Sequence, residues 1–179
     1  MRHVALLRGI NVGGKNKVDM KELKAVFEDA GMTSVRTYIN SGNVIFDTTE
    51  RARARLTQRL EKAIARRFGF KVHVLLRDLK AMRALVKAIP RGWTDDATTR
   101  CYVMFLWDDV DRPSVLKQVT SKPEMDDVRY FAGAIVWRVE RKNITRSGMT
   151  RVMGTPLYKQ MTIRSVNTTR KLLDLMEAS

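Results

Sequence analysis

Two runs rich in β-branched and aromatic residues, 34–39 and 44–46, are separated only by Asn40-Ser41-Gly42-Asn43. So short a turn makes them an antiparallel hairpin, because a parallel pair needs a crossover of about a dozen residues or more. Ahead of the hairpin stand the apolar run Val4-Ala5-Leu6-Leu7 and a segment in which Leu23, Val26, Phe27 and Ala30 recur at helical spacing. Asp19 is placed to cap that helix, Glu22 completes a capping box, and Gly31 supplies the left-handed stop. Behind the hairpin, Leu56, Leu60, Ala63 and Ile64 define one face of a helix over 51–68, ended by Gly69 and followed by a strand over 70–76. The order is βαββαβ, that of a ferredoxin-like unit.

The remainder repeats the theme less clearly. A helix over 78–89 ends at Pro90-Arg91-Gly92, and the pattern restarts with a strand over 100–107, a helix over 113–120, and strands over 128–131 and 135–139. A short helix near 149–153, an extended piece at 162–164 and a terminal helix from about 168 complete it. The expected fold is therefore α+β, with two ferredoxin-like subdomains built on mainly antiparallel sheets. Residues 1–77 form the first, 78–98 a connecting helix and linker, and 99–179 a second subdomain with a basic C-terminal helix.

Composition narrows the function classes. A single cysteine, Cys101, excludes a disulfide framework, and the separated histidines His3 and His73 leave too few soft ligands for a transition-metal centre. No cofactor is identifiable. Nothing in the sequence approaches a spanning helix or a signal-peptide core, so the expectation is a cytoplasmic protein with no membrane partner. The formal net charge is +15 on 179 residues, unevenly spread. Residues 1–90 hold 19 basic and 8 acidic residues, 91–140 hold 7 and 9, and 141–171 hold 8 basic residues and no acid. Such regions attract nucleic acid, nucleotides and other polyanions, although a basic helix such as 51–67 is more often a solvated face.

In a βαββαβ sheet the loop after the first strand, the hairpin turn and the end of the second helix share one edge. That edge collects Arg8, Asn11, Gly13, Gly14, Lys15, Asn16 and Lys17 from the loop and Asn40, Ser41, Gly42 and Asn43 from the turn, with Arg66 and Arg67 nearby. Glycines let backbone amides approach an anion, and amides with cations and Asn side chains make a phosphate or carboxylate site. Equally, these are the residues that tight turns require. A second basic cluster, Arg146, Ser147, Arg164 and Asn167, lies in the acid-free tail, where Ser165 or Asn167 is placed to cap the last helix.

Two sharper readings compete with simple anion binding. Gly9-x-x-x-x-Gly14-Lys15 matches a nucleotide-binding P-loop up to its last position, and the apolar run ending at Asp108 resembles a magnesium-binding strand. Against a nucleotide hydrolase, Asn16 replaces the metal-binding hydroxyl, Asp19 already occupies the helix terminus, and the hairpin is antiparallel where that fold needs parallel strands. An RNA-recognition module shares the element order but stacks bases on exposed aromatics of strands one and three. Here only Phe46 is available, at a position alternating as a core residue does.

The stretches Val4-Ala5-Leu6-Leu7-Arg8-Gly9-Ile10-Asn11-Val12-Gly13-Gly14-Lys15-Asn16-Lys17-Val18, Arg36-Thr37-Tyr38-Ile39-Asn40-Ser41-Gly42-Asn43-Val44 and Thr162-Ile163-Arg164-Ser165-Val166-Asn167-Thr168 resemble a bacterial family of unknown function, DUF1697. The resemblance implies two ferredoxin-like α+β subdomains and brings no activity, cofactor or catalytic residue. Ser165 and Gly148 stand where members often have Asn and Lys, respectively. The expected function is a cytoplasmic protein binding nucleic acid or a phosphorylated small molecule at the Gly-rich edge. The alternatives are a divergent nucleotide-using enzyme and a protein-interaction module.

Overall fold

A computed structural model describes residues 1–178. The chain divides into two compact units, Met1–Met82 with the end of the chain from Leu172, and Arg83–Lys171. In the first, β1 (Arg2–Leu7), α1 (Met20–Asp29), β2 (Thr33–Tyr38), β3 (Asn43–Asp47), α2 (Arg53–Phe68) and β4 (Val74–Asp78) follow the βαββαβ order. The sheet runs β2-β3-β1-β4 and every pair is antiparallel. Ala5, Leu7, Val44, Phe46, Val74 and Leu76 meet Leu23, Val26, Phe27, Leu56, Leu60 and Ile64 of the two helices in one core. Val4, Leu6, Ile45 and Leu75, which alternate with them, are also buried. Strands buried on both faces explain why β1 reads as an unbroken apolar run.

The helix ends follow the local chemistry. Asp19 Oδ1 accepts from the amides of Lys21 and Glu22, and Gly69 closes α2 at φ 78°. Glu22 pairs with Arg67 at 2.8 Å, which ties the start of α1 to the end of α2. β4 starts at Val74, later than the periodicity predicts. Its partner β1 ends at Leu7, and beyond it only the Arg8 amide reaches back, to the His73 carbonyl at 2.9 Å. α3 (Leu79–Ala88) then leaves the sheet.

The second unit repeats the strand order: β5 (Thr99–Leu106), β6 (Asp126–Phe131), β7 (Ala134–Glu140) and β8 (Met161–Ser165) pair antiparallel as β6-β7-β5-β8. The helix predicted over 113–120 is a 3-10 helix, Pro113–Gln118. Val115 and Val119 are β-branched and no side chain caps the turn, so tighter i→i+3 bonds form, Val115 N to Arg112 O and Val119 N to Leu116 O. α4 (Met149–Val152) is one turn long, and α5 (Val166–Glu177) starts earlier than the expected residue 168 because Ser165 caps it through the Thr168 amide.

The two sheets match in detail. Val4 pairs with Arg77 and Val103 with Arg164. Each arginine is buried and donates Nη1 to the carbonyl of the preceding residue, and each is followed by a helix-capping side chain, Asp78 or Ser165. Burial pushes the Arg164 guanidinium down to about 10.

Candidate anion-binding edge

The Gly-rich loop folds as a miniature hairpin. The Asn11 amide donates to Asn16 O and the Lys15 amide to Val12 O, both at 3.1 Å. Gly13 and Gly14 form its tip at φ 58° and 74°, the both-positive turn that glycine adopts without strain. The Asn11 side chain receives the Val18 amide at 2.8 Å and donates to Val18 O and to Asn40 O. That last bond, 2.9 Å long, joins the loop to the hairpin turn, as the topology predicts. Asn16 Nδ2 donates to Gly9 O. Asn43 is wholly buried and donates to Tyr38 O and Ser41 Oγ. Asn11 therefore joins the loop to the turn, while Asn16 braces the loop and Asn43 the turn.

At the tip, residues 12–17 are exposed, Val12 at 67%. Among the described residues, the Gly13 and Gly14 amides and the ammonium groups of Lys15, Lys17 and Lys21 have no internal partner. Asn11, Gly14, Lys17, Asp19, Lys21 and Asn40 surround an open depression of about 590 Å³. Asp19 places a carboxylate at the α1 terminus, so that terminus is not itself open to an anion, and the free amides and cations lie on the hairpin side. Lys21 lies outside the set expected from sequence, although its place in the first turn beside the Asp19 cap carries a local signal. Two more left-handed residues flank the edge, Gly42 at φ 74° and Ile39 at φ 49°, the latter 49% exposed.

The P-loop reading meets a different geometry. The amide of Lys15 is turned into its own hairpin, and β1 lies between two antiparallel neighbours. Asp111 accepts from Tyr130 Oη and the Gly133 amide, so it clasps the β6–β7 turn. Phe46 is wholly buried, edge-on to Phe27 at 5.4 Å, and offers no face to a base. Cys101 is buried, which pushes its thiol up to about 11. Among the described residues no group of three His, Cys, Asp or Glu is placed to hold a metal.

The tail cluster is dispersed into internal contacts. Ser147 is buried, its hydroxyl on Asp126. Asn167 exchanges two hydrogen bonds with the main chain of Asp95, and Arg164 is buried in β8. Arg146 remains exposed, donating to Asn143 Oδ1 at 2.7 Å. The hub of this region is Asp126, which no local pattern marks. Burial alone would raise its carboxyl, yet the donors Ser147 Oγ, Gly148 N, Lys122 N and Trp137 Nε1 outweigh it and hold the group below its ordinary value.

Fold and edge together define an α+β protein of two ferredoxin-like halves, the first carrying a cationic glycine hairpin beside an open depression. The chain belongs to the family described as "Protein of unknown function (DUF1697)", whose profile matches residues 1–137. It is similar along 98% of both chains to the conserved bacterial protein SP0830 from Streptococcus pneumoniae, with a TM-score of 0.84 and 28% identity. No curated protein matches significantly. Among the described residues no helix is long and apolar enough to cross a membrane.

Proposed function

We propose that this protein binds the phosphate groups of an anionic ligand at the edge formed by loop 9–18 and turn 40–43. The observation that carries the reading is the exposed tip where the unengaged Gly13 and Gly14 amides accompany unpaired Lys15, Lys17 and Lys21, among the described residues. An open depression suits the backbone of a nucleic acid better than a metabolite, which proteins usually enclose. The expected mode is contact with little base preference, since no aromatic side chain is presented for stacking at the tip.

Binding of labelled duplex DNA, duplex RNA and free nucleotides across a salt series tests this. The intact protein should bind a duplex with a steep salt dependence. Replacing Lys15, Lys17 and Lys21 by Gln should reduce the slope of log affinity against log salt by up to about 2.7, one phosphate contact per lysine. Failure of every phosphate-bearing probe to bind at low salt overturns the reading. Saturable, magnesium-dependent nucleotide binding lost on Lys15→Ala would instead restore the nucleotide-using enzyme.

A further inference from the structure

We infer that the groove between α1 and α2 is a second contact for a nucleic-acid backbone, continuing from the glycine hairpin along α2. The inference rests on the preceding reading only for the class of ligand. The groove, about 510 Å³, has Val26, Ala30 and Ala63 at its floor and Arg59, Lys62 and Arg66 along its α2 rim. Arg55, Arg59, Lys62 and Arg66 recur at helical spacing, so they form one exposed stripe down α2. At a rise of 1.5 Å per residue the stripe is about 16 Å long. One strand of duplex DNA carries about five phosphates over that length.

Several observations set this stripe apart from an ordinary solvated face. Arg55 and Arg59 share Glu50 at 3.6 and 3.7 Å, long contacts to a single carboxylate. Lys62 and Arg66 have no ion pair among the described residues. Asp29 is the one acid lining the groove. The first turn of α2 carries no acid and no capping side chain, while Arg53 and Arg55 stand at the positive end of its dipole. Arg55 is thus placed against the dipole of its own helix and suited to an external anion, whereas Arg66 stands in the last turn, where the dipole favours a cation. The end of the stripe lies toward the hairpin edge, since Arg67 pairs with Glu22, next in sequence to Lys21.

The experiment compares three full-length proteins by fluorescence anisotropy with a labelled duplex of roughly 20 base pairs across a salt series. They are the wild type, Arg59→Gln/Lys62→Gln/Arg66→Gln in the groove, and Lys15→Gln/Lys17→Gln at the tip. The substituted groove residues are exposed and Gln is a good helix former, so the fold should persist, which thermal melting checks. The groove variant should lower the salt slope by about 2 to 3, equally for unrelated duplex sequences. An unchanged slope in the groove variant, with the tip variant weakened, overturns the groove contact and leaves the edge standing. Loss in the groove variant alone supports the groove and removes the edge. Polyglutamate competing as well as the duplex overturns nucleic acid in favour of an acidic protein partner, and no duplex binding by the wild type overturns both contacts.

Discussion

Gly42 packs directly on Leu7. Its carbonyl accepts the Leu7 amide at 2.8 Å, and a Cβ at Gly42 would lie 2.7 Å from Leu7 Cβ and 2.8 Å from Ile10 Cδ1. Leu7 and Ile10 are both buried and cannot move aside without disturbing the core. Gly42→Ala should therefore add overpacking to the strain of φ 74°, a loss of about 2–4 kcal/mol. Gly13→Ala also meets a positive φ, but its Cβ enters open space, so about 1 kcal/mol is expected. Urea unfolding of both variants decides the matter: equal losses would mean that the Leu7 contact contributes nothing.

Asp126 supports a prediction in pH. Its folded carboxyl titrates below the ordinary 3.8, so its contribution is complete above that value and is lost as the pH falls through the folded value. Asp126→Asn replaces an acceptor-only group with one that presents an amide to four donors. The variant should be less stable at neutral pH by roughly 3 kcal/mol. It should also lose less stability than the wild type between pH 5 and pH 2, roughly the range where carboxyls titrate. Asp47, held low by its hydrogen bond to Arg2, leaves some acid sensitivity in both proteins. Identical acid limbs in urea titrations would remove Asp126 from this account.

The contrast between these two sites explains what the sequence disclosed. The turn chemistry of 40–43, the Asp19 cap and the Gly69 stop depend on neighbours a few residues away and are visible in a short window, whereas the packing of Gly42 on Leu7 and Ile10 is not. Asp126 draws its donors from Lys122, Trp137, Ser147 and Gly148, and nothing local distinguishes it from a solvated loop acid. The 113–120 segment has apolar spacing compatible with a helix, but periodicity does not distinguish an α-helix from the 3-10 turn that forms. At the edge, sequence and topology bring Asn11 and Asn40 together, yet an asparagine amide serves a ligand or a main-chain carbonyl equally well. Only the geometry shows the amides of Asn11, Asn43 and the exposed Asn16 engaged by main-chain carbonyls.

Ala52 occupies the N-cap of α2 in an extended conformation and offers no side-chain acceptor. Ala52→Ser should supply one to the first-turn amides, raising stability by about 1 kcal/mol and the melting temperature by roughly 2–4 °C. Serine avoids a second carboxylate beside Glu50, whose Oε1 already accepts the Ala52 amide at 2.8 Å. Calorimetric melting measures the gain. An unchanged melting temperature would show that Glu50 already satisfies this helix end.

Ile39 is a β-branched residue at φ 49°, a conformation costing roughly 1–2 kcal/mol that asparagine tolerates. At 49% exposure its side chain gains only part of the burial free energy that would offset this strain. Ile39→Val retains the branching and the strain while removing a methylene group, so it should destabilise by about 0.5 kcal/mol. Ile39→Asn loses more apolar surface yet relieves the backbone, and it should be the more stable of the two despite its polarity. Urea midpoints for both variants test the order. If the ranking instead follows side-chain hydrophobicity, packing outweighs strain at Ile39. If the expected order holds, strain is concentrated beside the proposed ligand edge, where a conformation that does not serve stability is retained.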